Sequence, residues 1–179
     1  MRPLLVLTFL ATMPLAAGDI PPLPGLHHFV KVNEHLYRGA QPAPAGFHSL
    51  AQLGVHAVID LREIGARSVG EEKEVETLGM KYYSVPMKPL SAPTDKQMAV
   101  VLALVEDSAN WPVFVHCQRG KDRTGTVVAC YRVTHDHWPN ERALEEANEG
   151  GLSRVERGMR AFILRFQQAG DLTQTVTTK

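Results

Sequence analysis

A buried-type strand, Pro-Val-Phe-Val-His at 112–116, runs without a linker into Cys117-Gln118-Arg119-Gly120-Lys121-Asp122-Arg123-Thr124-Gly125, and a helical stretch over 123–135 follows at once. Strand, tight loop and helix in that order make half of a parallel βα unit, so this segment constrains the fold more than any other. Backbone N–H groups of such a loop and the positive end of the helix dipole converge on one point, which suits an anion such as phosphate. A thiol at Cys117 sits in the same field, which stabilises its thiolate and makes it a nucleophile. Arg123 follows after five intervening residues. Its planar guanidinium can hold two phosphate oxygens at once, where a lysine is only a point charge. Gly120 allows a close backbone approach or a positive φ. Thr124 offers a hydroxyl near the sulfur. Gln118, Arg119, Gly120, Lys121 and Asp122 complete the anion cradle, with Arg119 and Lys121 as extra cationic contacts. A single cysteine before a helix is usually packing; here the fixed offsets of His116, Gly120, Arg123, Thr124 and Gly125 carry the case.

The rest of the chain alternates the same two kinds of element. Residues 30–32 and 36–38 read as a short strand pair closed by the turn-prone 39–42, and 46–53 as a helix ended by Gly54. Strands follow at 55–61 and 81–85, around a charged helix over 71–78 that Gly79 stops. Residues 86–93 are a loop. Thr94 and Gln97 have capping-box spacing ahead of a helix to 107, with Met98, Val101, Leu102 and Val105 at helical period. Helices over 140–149 and 155–168 end the pattern, the latter with Val155, Met159, Phe162, Ile163 and Phe166 on one face. The expected fold is α/β: a single domain with a central, mostly parallel sheet flanked by helices. A chain of 179 residues with 44% apolar content has room for one such core.

Residues 1–18 read as a signal peptide, with basic Arg2, a short apolar run broken by Pro14, and small residues before a cut between Gly18 and Asp19. The run is too short for a stable membrane anchor, since about 20 apolar residues are needed to span. Residues 19–26 form a proline-rich lead-in, 27–170 the folded domain and 171–179 a tail. The expected location is periplasmic or secreted. Two cysteines, Cys117 and Cys130, make no disulfide framework, and Cys130 reads as core. Basic and acidic residues balance at 19 each, so no charge excess argues for nucleic acid. His135 and His137 lie near a helix end without metal-ligand spacing, and Asp60 and Arg62 close a strand and read as structural, with Arg62 bordering the site.

The segment His116-Cys117-x5-Arg123-Thr124 resembles the signature of the cysteine-dependent protein tyrosine phosphatase superfamily, specifically its small dual-specificity members. The resemblance extends over residues 27–150 through Leu36-Tyr37-Arg38-Gly39-Ala40-Gln41-Pro42 and Val58-Ile59-Asp60-Leu61-Arg62. It implies hydrolysis of phosphate monoesters, in a phosphorylated protein or a polyphosphorylated small molecule, through a phosphoenzyme on Cys117, with neither metal nor cofactor. The family usually carries an acidic proton donor in the loop that here reads Met87-Lys88-Pro89-Leu90-Ser91-Ala92-Pro93, which holds no carboxylate. The expected donor is therefore Asp122, as in bacterial phosphatases with a similar Gly-Lys-Asp-Arg-Thr-Gly loop, with Asp95 as the alternative. Two other readings stand beside this one: a rhodanese-type sulfurtransferase, whose cysteine loop is usually one residue shorter, and a non-catalytic phosphate-binding module. A nucleotide-binding loop fails, because Asp122 follows Lys121 where Ser or Thr is required and Val115 stands where glycine is. Oligomeric state is not legible in the chain.

Overall fold

The computed structural model describes residues 23–167, without the side chains of residues 66 and 67. The leader at 1–18, the first residues of the lead-in, residues 168–170 of the expected domain and the whole tail at 171–179 lie outside them. Five strands, β1 (Val30–Lys31), β2 (Leu36–Ala40), β3 (Ala57–Asp60), β4 (Lys81–Ser84) and β5 (Val113–Cys117), form one sheet in the order β1-β2-β5-β3-β4. β1 pairs antiparallel with β2 and every other pairing is parallel. This is the single α/β domain that alternating elements dictate.

β5 is buried along its whole length between β2 and β3. Its alternating side chains feed two cores, as the two-residue period of a strand requires. Val113 and Val115 join Leu36 and Ile59 against α3 (Asp95–Glu106) and α4 (Asp122–Thr134). Phe114 faces the other way with Tyr37 and Val58, against Phe47 and Leu50 of α1 (Pro44–Gln52) and Val75 of α2 (Ala66–Thr77). Outside α4, the small residues Ala129, Ala143 and Ala147 let α5 (Asn140–Glu149) approach closely, and Met159 and Ile163 of α6 (Arg157–Arg165) close that layer.

Local chemistry explains where the elements begin and end. Thr94 caps α3: its hydroxyl accepts from the Gln97 N–H at 3.2 Å, and Gln97 Oε1 accepts from the Thr94 N–H at 2.8 Å. α1 starts two residues ahead of the expected 46 because Pro44 suits the first helical turn, where no N–H is needed. α2 starts at Ala66 rather than 71, secured by the Ser68 hydroxyl, which accepts from the Gly65 N–H at 2.9 Å. The final helix is shorter than its periodicity suggests: Val155 is exposed ahead of it and Phe166 lies beyond its end. Residues 23–26 of the lead-in dock on α1, with the Ser49 hydroxyl donating to Pro24 O and Ala43 N–H to Gly25 O.

Candidate active site

The parallel strands β2, β5 and β3 end side by side, and the crevice beyond their carboxyl ends is where such sheets bind ligands. Cys117 is the last residue of β5 and α4 begins at Asp122, so four residues make the whole connection. The loop can be that tight because Gly120 has φ +70°; a Cβ there would lie 2.3–2.4 Å from the backbone of Gly39 and Ala40. The buried Arg38 fixes the same residue from β2, donating from Nη2 to Gly120 O at 2.8 Å. The N–H groups of residues 120–123 donate to no backbone carbonyl among the described residues, which leaves them for an anion.

Cys117 is buried at the base of this loop. Burial opposes its thiolate, yet the hydroxyl and N–H of Thr124, the charge of Arg123 and the N–H of Arg119 outweigh it and hold the thiol below its ordinary value. The Thr124 hydroxyl is itself buried and has no oxygen or nitrogen partner. Arg123 is only partly buried, and its Nη1 donates to Leu61 O and Met87 O, both at 3.3 Å. Those two weak bonds pin the stem of the side chain and leave most of the guanidinium donors for a ligand. Arg123, Gln118, Arg62, Glu63 and Pro89 line a cavity of about 380 Å³.

Not every expected cradle residue faces that cavity. Lys121 lines a different one, of about 530 Å³, with Arg38, Arg132 and Glu146. It stands at the N-cap of α4, and its side chain lies against Gly151. Arg119 is 70% exposed and pairs with Asp122 Oδ2 at 3.1 Å. The other oxygen of Asp122 accepts the Ser153 N–H at 2.9 Å, and the residue stands in the first turn of α4. Both oxygens are thus acceptors. Asp95 is exposed in the first turn of α3. Cys130 is core, as expected, and burial pushes its thiol up.

Behind the loop lies a buried polar network that sequence reasoning did not assemble. His116 Nε2 and Glu71 Oε1 are 2.6 Å apart and have no other hydrogen-bond partner. Glu71 Oε2 accepts from Arg62 Nη2 at 2.6 Å, and Arg62 also grips both oxygens of Asp60. Tyr82 donates to Asp60 at 2.8 Å, and burial with that carboxylate pushes its hydroxyl up. The reading of Asp60 and Arg62 as structural fits this placement. Glu71 looked like any acid on a charged helix; only its turn toward the sheet distinguishes it. Asp60, Glu71 and His116 are also the one trio among the described residues with metal-ligand spacing. Arg62 already supplies the cation between their carboxylates.

Comparison with known proteins agrees with this geometry. A family model described as "DSP-PTPase phosphatase fused to NAD+ Kinase" matches residues 27–161. The inositol diphosphatase DSP3 of Arabidopsis thaliana is 32% identical, over 83% of this chain and 73% of its own length. The dual specificity protein phosphatase TpbA of Pseudomonas aeruginosa is 29% identical, over 68% of this chain and 54% of its own. Among solved structures, the core catalytic domain of the PP-IP phosphatase SIW14 from S. cerevisiae superposes with a TM-score of 0.69 at 25% identity, covering 84% of this chain and 89% of that one.

Proposed function

Because the chain belongs to the DSP-PTPase family of cysteine-dependent phosphatases, it is a phosphoric monoester hydrolase, and we propose that Cys117 is its nucleophile and Arg123 its phosphate clamp. In this reading the Cys117 thiolate attacks phosphorus while the loop N–H groups and Arg123 bind the non-bridging oxygens. The ester oxygen leaves with a proton. Water then hydrolyses the cysteinyl phosphate, and the Thr124 hydroxyl stabilises the departing thiolate. The observation that carries this assignment is the depressed thiol of Cys117, buried beside Thr124 and Arg123 at the base of a loop whose N–H groups at 120–123 have no backbone acceptor among the described residues. Cys117→Ser tests it: phosphate binding should persist while turnover falls below about one per cent of wild type, and activity above that level overturns the phosphoenzyme. Released thiocyanate from thiosulfate and cyanide would instead mark sulfur transfer.

The substrate is proposed to be a phosphorylated protein or a polyphosphorylated small molecule. Relatives named inositol diphosphatase and dual specificity protein phosphatase support the two halves of that statement. Arg119→Ala and Lys121→Ala separate them: a larger loss on an inositol polyphosphate than on phosphotyrosine favours the polyphosphate. The proposed location is periplasmic or secreted, supported by the composition of residues 1–18. Intact mass of the exported protein should begin at Asp19. Among the described residues no helix is long and apolar enough to cross a membrane.

A further inference from the structure

Glu156 precedes α6, more than thirty residues beyond the catalytic loop, yet it is only 3% exposed. Two bonds fasten it to the site. Its N–H donates to Ser153 O at 3.1 Å, and the Ser153 N–H donates to Asp122 Oδ1 at 2.9 Å, so the 153–156 turn is tied to the first turn of α4. Its carboxyl accepts from the backbone N–H of Leu90, and so reaches into the 86–93 loop. Arg123 grips that same loop at Met87 O. The clamp arginine and Glu156 therefore hold one four-residue stretch, 87–90, in the loop that has no carboxylate of its own.

The second oxygen, Oε2, is buried and has no partner. An ionised carboxylate would leave that oxygen unsolvated, which is costly. Burial first, and the neighbouring Asp122 carboxylate second, push Glu156 above its ordinary value; the Leu90 N–H, Arg123 and Arg119 pull the other way and are outweighed. A carboxylic acid whose O–H is unengaged, on a turn fastened to Asp122 of the catalytic loop, is a donor awaiting an acceptor. Asp122 has the opposite arrangement, with both oxygens accepting hydrogen bonds.

We propose that Glu156, in place of Asp122 or Asp95, protonates the leaving oxygen; the inference rests on the phosphatase reading above. The sulfur–phosphorus bond forms as the ester phosphorus–oxygen bond breaks. The electron pair stays on the ester oxygen, which takes the Glu156 proton and departs as an alcohol. In the second step the Glu156 carboxylate takes a proton from the water that attacks phosphorus, and the pair of the breaking sulfur–phosphorus bond returns to Cys117. Leu90, the residue that Glu156 holds, has φ +59° and is 71% exposed. Asp122 becomes a fastener between the loop and the 153–156 turn.

The experiment compares p-nitrophenyl phosphate, with a good leaving group, and benzyl phosphate, with a poor one, on wild type, E156Q, D122N and D95N. In the release of the leaving group during a single turnover, E156Q should lose roughly 10²–10⁴-fold on benzyl phosphate, spare p-nitrophenyl phosphate, and lose the alkaline limb of the rate profile. D122N should slow both esters alike. Equal losses in E156Q, or a leaving-group dependence in D122N or D95N alone, overturn the proposal. A p-nitrophenolate burst followed by slow turnover in E156Q is the expected mark of the second-step role, whereas release of benzyl alcohol at the wild-type rate overturns the proposal. If E156Q loses its near-ultraviolet circular dichroism, E156D replaces it: the displaced carboxyl should keep the alkaline limb and lose more on benzyl phosphate, and equal loss refutes the assignment. Failure of wild type itself to hydrolyse p-nitrophenyl phosphate would instead sink the phosphatase reading.

Discussion

Arg62→Met removes one cation from a place where two carboxylates depend on it. Arg62 donates to Asp60 Oδ1 and Oδ2 and to Glu71 Oε2 over 2.6–3.0 Å, and the three side chains are 7%, 0% and 2% exposed. Methionine matches the volume, so the change is electrostatic. Removing one partner of a buried ion pair costs about 3–5 kcal/mol, since the orphaned charge keeps its desolvation penalty. At roughly 2–4 °C per kcal/mol for a domain of this size, the melting temperature should fall by about 6–20 °C. Calorimetry or urea unfolding of the mature chain at pH 7 measures it. Acid gives a second readout. In the native protein burial raises the Asp60 carboxyl, but the bonds from Arg62 and the nearby His116 outweigh it and hold the group below its ordinary value. That stability is present above the unfolded carboxylate range and is lost as pH falls through the depressed native value. In the variant burial prevails, so the deficit should shrink on acidification. A loss under about 1 kcal/mol at pH 7, independent of pH, would falsify the claim that the cation holds the network together.

Three further outcomes follow from named contacts. Thr124→Val keeps the buried shape but deletes a hydroxyl that stabilises the Cys117 thiolate, so the acidic limb of the p-nitrophenyl phosphate profile should move to higher pH; an unchanged limb refutes that role. Gly120→Ala should cost roughly 2–5 kcal/mol from positive φ and overlap with the Gly39 and Ala40 backbone, read by urea unfolding, and should abolish phosphate binding. Thr94→Ala should cost about 1 kcal/mol through loss of the α3 cap while leaving the profile shape intact, and a normal urea midpoint would count against the cap.

What was legible in the chain were features encoded by neighbours in sequence. The Thr94 and Gln97 cap, the apolar period of α3 and the Cys117 to Thr124 offsets each depend on a few consecutive residues, and each lies where the pattern puts it. The early start of α2 was not legible, because residues 66–70 lack an apolar face and are held by one hydroxyl at Ser68. Val155 continued a hydrophobic stripe on paper but stands outside the helix, since the 153–156 turn is claimed by Asp122. Lys121 was read as part of the anion cradle, yet it stands two residues before Arg123, at the N-cap of α4, and its side chain lines another cavity. Glu71 and Glu156 were the least visible. Each is a common acid in a polar stretch, and only long-range folding turns it inward.

The seclusion of Cys130 bears on how long the protein lasts under oxidative stress. Disulfide rescue of an oxidised cysteine needs a second thiolate to attack the sulfenic acid. The chain has two cysteines, and burial keeps the thiol of Cys130 protonated. Cys117, whose thiolate is stabilised, is the one peroxide reaches first. With no resolving partner in the same molecule, its sulfenic acid must meet an external thiol or proceed to sulfinic acid, beyond recovery by simple reductants. The protein's working lifetime is then set by the small thiols around it.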